Sequence, residues 1–137
     1  MGEIYNTERI QTGLKGSREF TVKESDSAKA FRSGSLDVLA TPVMIASAEE
    51  TCADLVQQLL DKGIGTVGTR VDICHLAPTP IGMKYRCDCE ITAVEGRKIT
   101  FSIELFDEKE QIAKGSHERF IINEERFFKK TQNKISK

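Results

Sequence analysis

Three residues of this chain have the types and spacing for acid–base or nucleophilic chemistry. They are Thr41 in Ala40-Thr41-Pro42, Glu49 eight positions later, and His75 in Cys74-His75-Leu76-Ala77-Pro78-Thr79-Pro80. They supply a hydroxyl, a carboxylate and an imidazole, the groups with which enzymes attack carbonyls and move protons. Whether they meet depends on the elements that carry them.

Thr41-Pro42 reads as a helix start, with Thr41 as N-cap and proline at the first helical position, where its missing N–H breaks no intrahelical bond. The helix is expected over residues 42–61, stopping before Gly63. At helical spacing Ile45, Ala48, Cys52, Leu55, Val56, Leu59 and Leu60 share one arc, the face that seeks the core. Glu49 lies inside that arc, in the row Ile45, Glu49, Cys52, Val56, whereas Glu50 falls on the opposite face with Ala46, Ala53 and Gln57. A carboxylate on an apolar arc needs a hydrogen-bond partner or a place at a pocket edge. Two readings stay open: a catalytic carboxylate, or a structural one on a helix rotated slightly towards water.

The segment 66–76 has the other period. Val67, Thr69, Val71, Ile73 and His75 point one way and Gly68, Arg70, Asp72, Cys74 and Leu76 the other, as in a half-buried strand. His75 thus shares an apolar face, where a histidine is more often a satisfied core residue than a catalyst. A helix packed on that face directs Glu49 towards it, with Thr41 on the same side.

Length and charge narrow the class. A chain of 137 residues fits one domain with a sizeable core. The net charge of -1 gives no basic field for nucleic acid, and no run of about 18 apolar residues could span a membrane. The N-terminus lacks a positive region followed by an apolar stretch, and Gly2 with Thr7 misses the myristoylation spacing, so a cytoplasmic protein is expected. Cys52, Cys74, Cys87 and Cys89 all fall inside expected helices or strands and read as reduced core residues. Cys87 and Cys89 with Cys74 and His75 lack the paired short-spaced ligands on turns typical of structural zinc, so no metal site and no cofactor is expected. Gly63-Ile64-Gly65 forms no nucleotide fingerprint, and no Gly-x-Ser-x-Gly elbow occurs.

Residues 1–16 read as an irregular arm, 17–23 as a short strand, and Ser25-Asp26 as the cap of a brief helical turn through Phe31. Ser33-Gly34-Ser35 is a link. After the helix the chain reads as a four-strand meander, 66–76, 83–94, 98–106 and 111–122, with turns at residues 78–82, 95–97 and 107–109. One helix on a five-stranded antiparallel sheet gives an α+β layer. The domain is placed at 17–127, and 128–137 is a basic tail, expected to be solvated and partly disordered.

One strand, one long helix and four further strands is the element order of a hotdog domain, and here the motifs become familiar. Ala40-Thr41-Pro42, Glu49, Gly68-Thr69, His75-Leu76-Ala77-Pro78-Thr79-Pro80-Ile81-Gly82, Glu95-Gly96-Arg97-Lys98 and Gly115-Ser116-His117-Glu118-Arg119 resemble the fluoroacetyl-CoA thioesterase family across roughly residues 18–127. The resemblance implies a hotdog fold, a homodimer joined edge to edge, and acyl-CoA sites near the dimer interface. It also implies that Thr41, Glu49 and His75 match the family's catalytic residues and Gly68 the glycine beside the substrate thioester. His117 and Arg119 match as well but are left outside the catalytic set, with two readings open: sheet-surface or interface polar residues, or contacts to the CoA phosphates. The stretch 34–39 lacks the aromatic gate of the fluoroacetyl-specific member, so a broader acyl-CoA range is expected, with a pocket of small and aliphatic groups.

A thioester has a reactive carbonyl and a good leaving group, so the enzyme needs a nucleophile or activated water, proton transfer and oxyanion stabilisation. The roles expected from the resemblance are attack on the carbonyl or activation of water for Glu49, proton transfer and polarisation for His75, and orientation for Thr41, with a Thr41 nucleophile activated by His75 as the competing assignment. A non-catalytic acyl-CoA or acyl-carrier binding module ranks second, and a hotdog dehydratase or hydratase third.

Overall fold

In the computed structural model, which describes residues 5–135, a helix α1 (Thr41–Gln57) is wrapped by five strands: β1 (Lys15–Thr21), β2 (Ile64–His75), β3 (Lys84–Glu95), β4 (Lys98–Asp107) and β5 (Gln111–Asn123). Residues 1–4 of the expected arm and Ser136 and Lys137 of the tail lie outside the described residues.

The helix begins one residue earlier than its expected start. Ala40 is the extended N-cap residue, Thr41 is already helical, and no side chain caps the end. The Thr41 hydroxyl therefore does not serve the helix N-terminus, which leaves it for another partner. The buried stripe runs Met44, Ser47, Ala48, Thr51, Cys52 and Val56, while Ile45 and Leu55 are only partly buried. This rotation puts Glu49 at the edge of the buried face rather than in its middle, half-buried, with Glu50 exposed. The two inward hydroxyls are satisfied locally: Ser47 Oγ donates to the Val43 carbonyl (3.0 Å) and accepts from Tyr85 OH (2.6 Å), and Thr51 Oγ1 donates to the Ser47 carbonyl (2.8 Å). Gln57 closes the helix, residues 58–60 turn, and the Gln57 amide donates to the Ile64 carbonyl at the start of β2 (2.8 Å).

All pairings are antiparallel, in the order β1-β3-β4-β5-β2. The expected four-strand meander is corrected here. Only β3, β4 and β5 form one, and β2 pairs with β5 at the far edge instead of with β3. Alternation fixes which face a residue takes, not which strand lies beside it. Residues 76–83 are consequently a crossing segment, not a hairpin turn: Leu39 N–H donates to the Thr79 carbonyl (2.8 Å), and the fully buried Thr79 hydroxyl donates to Asp107 Oδ2 (3.0 Å). That crossing brings His75 alongside the start of α1.

The core lies between α1 and the inner sheet face, where Ile91, Ile99, Phe101, Ile103, Leu105, Ile112 and Ile121 are almost wholly buried. Ile10, within the expected arm, also packs there at 4% exposure, and the chain beside it is tied to β3 by Gly13 N–H to the Ile91 carbonyl (2.8 Å). Cys52, Cys87 and Cys89 are buried, and burial pushes the Cys87 thiol up to about 12. Cys74 departs from the expected core placement: it is exposed, on the outer face of edge strand β2.

The tail differs too. A second helix α2 (Glu124–Gln132) follows β5, started by Asn123, whose side chain accepts from the Arg126 N–H (3.0 Å). Glu124 and Glu125 in the first turn and Lys129 and Lys130 in the last complement the helix dipole. Of the expected tail, residues 128–132 belong to this helix, and none of the helix residues is buried.

Gly115 of β5 leaves no room for a side chain against the backbone of β2. A Cβ there would stand 2.0 Å from the Asp72 carbonyl oxygen and 2.6 Å from Ile73 Cα, both backbone atoms that cannot turn aside. Gly115→Ala is expected to cost about 3 kcal/mol and to lower the melting temperature by roughly 10 °C, checked by thermal unfolding; an unchanged melting temperature would contradict the pairing.

Candidate active site

At the start of α1, Thr41 Oγ1 lies 2.8 Å from His75 Nδ1. The other ring nitrogen, His75 Nε2, is buried and has no hydrogen-bond partner among the described residues. If the hydroxyl donates to Nδ1, the ring proton sits on Nε2; if Nδ1 carries the proton, the hydroxyl accepts it. Burial lowers the His75 pKa, opposed by the Ala77 carbonyl, and the imidazole is neutral at pH 7. If the reaction needs His75 neutral, kcat/KM falls as the pH drops through its folded pKa. The acid limb is therefore expected to have its midpoint below 6.5, and a midpoint above that value in a pH–rate profile would contradict this environment. A cavity of about 320 Å³ opens beside this pair, lined by Ala28, Ser33, Val38 and Leu39 together with Thr41 and His75. Apart from the pair its lining is small or aliphatic.

The second group of residues sits further along α1. The register of β2 shifts between Gly68 and Arg70, a bulge that leaves Thr69 unpaired and changes the parity of the strand. Thr66 and Gly68 below the bulge, and Val71, Ile73 and His75 above it, oppose Ile121, Arg119, His117, Gly115 and Ala113 of β5. Gly68, expected on the face opposite His75, is thereby turned inward. An ideal Cβ on Gly68 would lie 2.7 Å from Glu49 Oε2, 3.2 Å from His117 Cε1 and 3.3 Å from Arg119 Nη1. Glycine thus leaves a small gap bordered by the carboxylate, an imidazole and a guanidinium.

His117 and Arg119 are not surface residues: they are 1% and 8% exposed. Arg119 Nε donates to Thr66 Oγ1 (2.8 Å), Nη2 to the Thr66 carbonyl (3.0 Å), and Nη1 pairs with His117 Nε2 (3.1 Å). Burial works against the Arg119 charge, and the Glu49 carboxylate across the gap favours it. The inward alternation Ala113, Gly115, His117, Arg119 and Ile121 was the signal in the sequence that both residues face the core. Among the described residues no three His, Cys, Asp or Glu side chains converge as metal ligands.

The four expected site residues therefore form two pairs, Thr41 with His75 and Glu49 with Gly68. Eight residues of helix separate Thr41 from Glu49, about 12 Å of rise, and the span from Gly68 to His75 is about 20 Å of strand. Within one chain the two pairs stand apart.

An antiparallel five-stranded sheet wrapped round a helix, with polar residues at the helix–sheet edge, defines the class: a hotdog-fold thioesterase. Residues 22–125 match the model of the fluoroacetyl-CoA-specific thioesterase FlK. The fluoroacetyl-CoA thioesterase of Streptantibioticus cattleyicolor is 33% identical over 98 residues, 72% of this chain and 70% of that protein. The FlK crystal structure superposes with a TM-score of 0.87 at 27% identity, covering 91% of this chain and 97% of FlK. A hot-dog-like protein from Thermanaerovibrio acidaminovorans shares the fold, with a TM-score of 0.87 at 21% identity over 96% of this chain and 97% of that one. The chain belongs to the fluoroacetyl-CoA-specific thioesterase family.

Proposed function

We propose that this thioesterase hydrolyses small or medium acyl-CoA thioesters to the free acid and CoA, with Thr41, Glu49 and His75 as its catalytic residues and Gly68 at the substrate thioester. The observation that carries the reading is the buried, unpartnered His75 Nε2 beside the Thr41 hydroxyl at the wall of an aliphatic cavity. Glu49 draws a proton from the attacking water while the His75 Nε2–H hydrogen-bonds the carbonyl oxygen as it gains charge, and the C–S bond breaks to release a thiolate that takes up the proton held by Glu49; if Glu49 instead attacks the carbonyl itself, water then hydrolyses the resulting anhydride. Thr41 holds the imidazole through Nδ1. The 2.8 Å contact also supports a second reading, in which Thr41 is the nucleophile and His75 its base.

The separation of the two pairs supports a dimeric enzyme. Edge strand β2 has one sheet neighbour, and pairing it antiparallel with β2 of a second copy, about a two-fold axis near Val71 and Asp72, sets His75 opposite the partner's Gly68. Each site then takes Thr41 and His75 from one protomer and Glu49 and Gly68 from the other. The four unpaired cysteines suit a reducing compartment, and we place the enzyme in the cytoplasm.

The test is thiol release from a panel of acyl-CoAs from acetyl to octanoyl, with fluoroacetyl included. The small, aliphatic lining of the cavity predicts turnover of several members, with fluoroacetyl-CoA preferred over acetyl-CoA by no more than about tenfold, since a hydrophobic pocket discriminates small substituents only weakly. Tight binding without release would instead make the chain an acyl-binding module.

A further inference from the structure

We propose that His117 is a positioning residue for this reaction: a neutral imidazole that orients the Arg119 guanidinium against Glu49 at the Gly68 gap. The inference rests on the reading of Glu49 given above. His117 Nδ1 is 2.7 Å from the Arg70 carbonyl oxygen, which can only accept, so Nδ1 carries the ring proton. Nε2 is then a lone-pair acceptor and takes its hydrogen bond from Arg119 Nη1 at 3.1 Å.

The ring itself is fixed on both sides. It stacks on Phe101, directly opposite in β4, with centroids 6.1 Å apart, and its proton is tied to the bulged segment of β2. The bulge that turns Gly68 inward and the imidazole that reads its backbone thus form one unit. Protonation of His117 would place two cations in contact inside the sheet, and burial opposes it as well. An acceptor at this position is therefore maintained.

The guanidinium is directed by three bonds, two to Thr66 and one to His117. Only the bond to His117 engages Nη1, the atom that borders the gap with Glu49 Oε2. Thr66 fixes where the guanidinium sits, and His117 fixes which way its gap-facing nitrogen points. A charge held in this way favours a single orientation of the carboxylate opposite, as a reacting group requires.

The experiment compares His117→Leu, His117→Gln, Arg119→Met and the His117→Leu/Arg119→Met pair in steady-state hydrolysis, with Glu49→Gln alongside and thermal melts for each. Leucine removes the acceptor and is expected to lower kcat on the order of 10²-fold with KM changed by less than about threefold, the loss that follows from misplacing a reacting group. Glutamine, whose Oε1 restores an acceptor near Nε2, is expected to recover most of kcat even if its melting temperature stays low. On the Arg119→Met background, His117→Leu should cost nothing further.

Equal losses from leucine and glutamine, or losses that add to those of Arg119→Met, would make His117 a packing residue and overturn the inference. So would full kcat in His117→Leu beside an inactive Glu49→Gln. A fully active Glu49→Gln would remove the reading on which the inference rests, and the inference with it.

Discussion

Glu49→Gln is expected to lower acyl-CoA turnover by about 10³-fold or more while leaving the melting temperature within a few degrees of the parent. Glutamine keeps the size of the side chain and its place beside Gly68, so the packing at the gap survives; what is lost is the negative oxygen to which the proposed mechanism gives the attack or the proton. The neighbouring acid provides the control. Glu50 is exposed and pairs with Arg18 of β1 at 2.8 Å, on the far side of the helix. Exposed ion pairs contribute about 0–1 kcal/mol, so Glu50→Gln should keep turnover within about twofold. Equal losses from the two changes, or none from either, would contradict the role of Glu49.

The second large effect is at His75. His75→Ala is expected to lower kcat by about 10²–10⁴-fold, the range typical of a positioned acid–base group. The substitution gives up the bond between Nδ1 and the exposed Thr41 hydroxyl, about 1 kcal/mol, so the melting temperature should fall by only a few degrees. Thr41→Val beside it decides between the two nucleophiles. If Thr41 only orients the imidazole, removing its hydroxyl should cost about tenfold, the value of one neutral hydrogen bond. If Thr41 attacks the thioester, Thr41→Val should be as inactive as His75→Ala. Measurement of kcat for both, with melts, separates these outcomes.

The parts of this site that follow from periodicity were legible before any coordinates. The split between Glu49 and Glu50 is a property of helical spacing, and it holds, with Glu49 half-buried and Glu50 exposed. The inward alternation of β3 and β4 holds for the same reason, through Tyr85, Cys87, Cys89 and Ile91, and Ile99, Phe101, Ile103 and Leu105. What was not legible depends on departures from a regular period or on which strand lies beside which. A single unpaired residue, Thr69, reverses the parity of β2 and moves Gly68 to the inner face, and no residue type at that point announces a bulge. The place of β2 beside β5 is a long-range pairing that alternation does not encode.

Thr41 was expected to cap α1 from residue type alone, yet its hydroxyl turns to His75 because the crossing segment at residues 76–83 brings the imidazole within reach. His117 and Arg119 read as surface residues because charge is seldom buried; the compensation comes from Thr66, the Arg70 carbonyl and Glu49, which lie 47 to 70 positions away in the chain. The helix α2 was missed because its residues bury nothing, so no apolar stripe marks it; its signal is the Asn123 cap and the order of acids before lysines.

The most direct test of the account is complementation between two inactive variants, His75→Ala and Glu49→Gln, mixed, unfolded and refolded together, then assayed for CoA thiol release. If each site joins His75 of one protomer to Glu49 of the other, half of the dimers are mixed and each of those regains one intact site, so activity should return to roughly a quarter of that of the parent. A mixture that stays as inactive as its components, with mixed dimers demonstrably formed, would contradict the shared site.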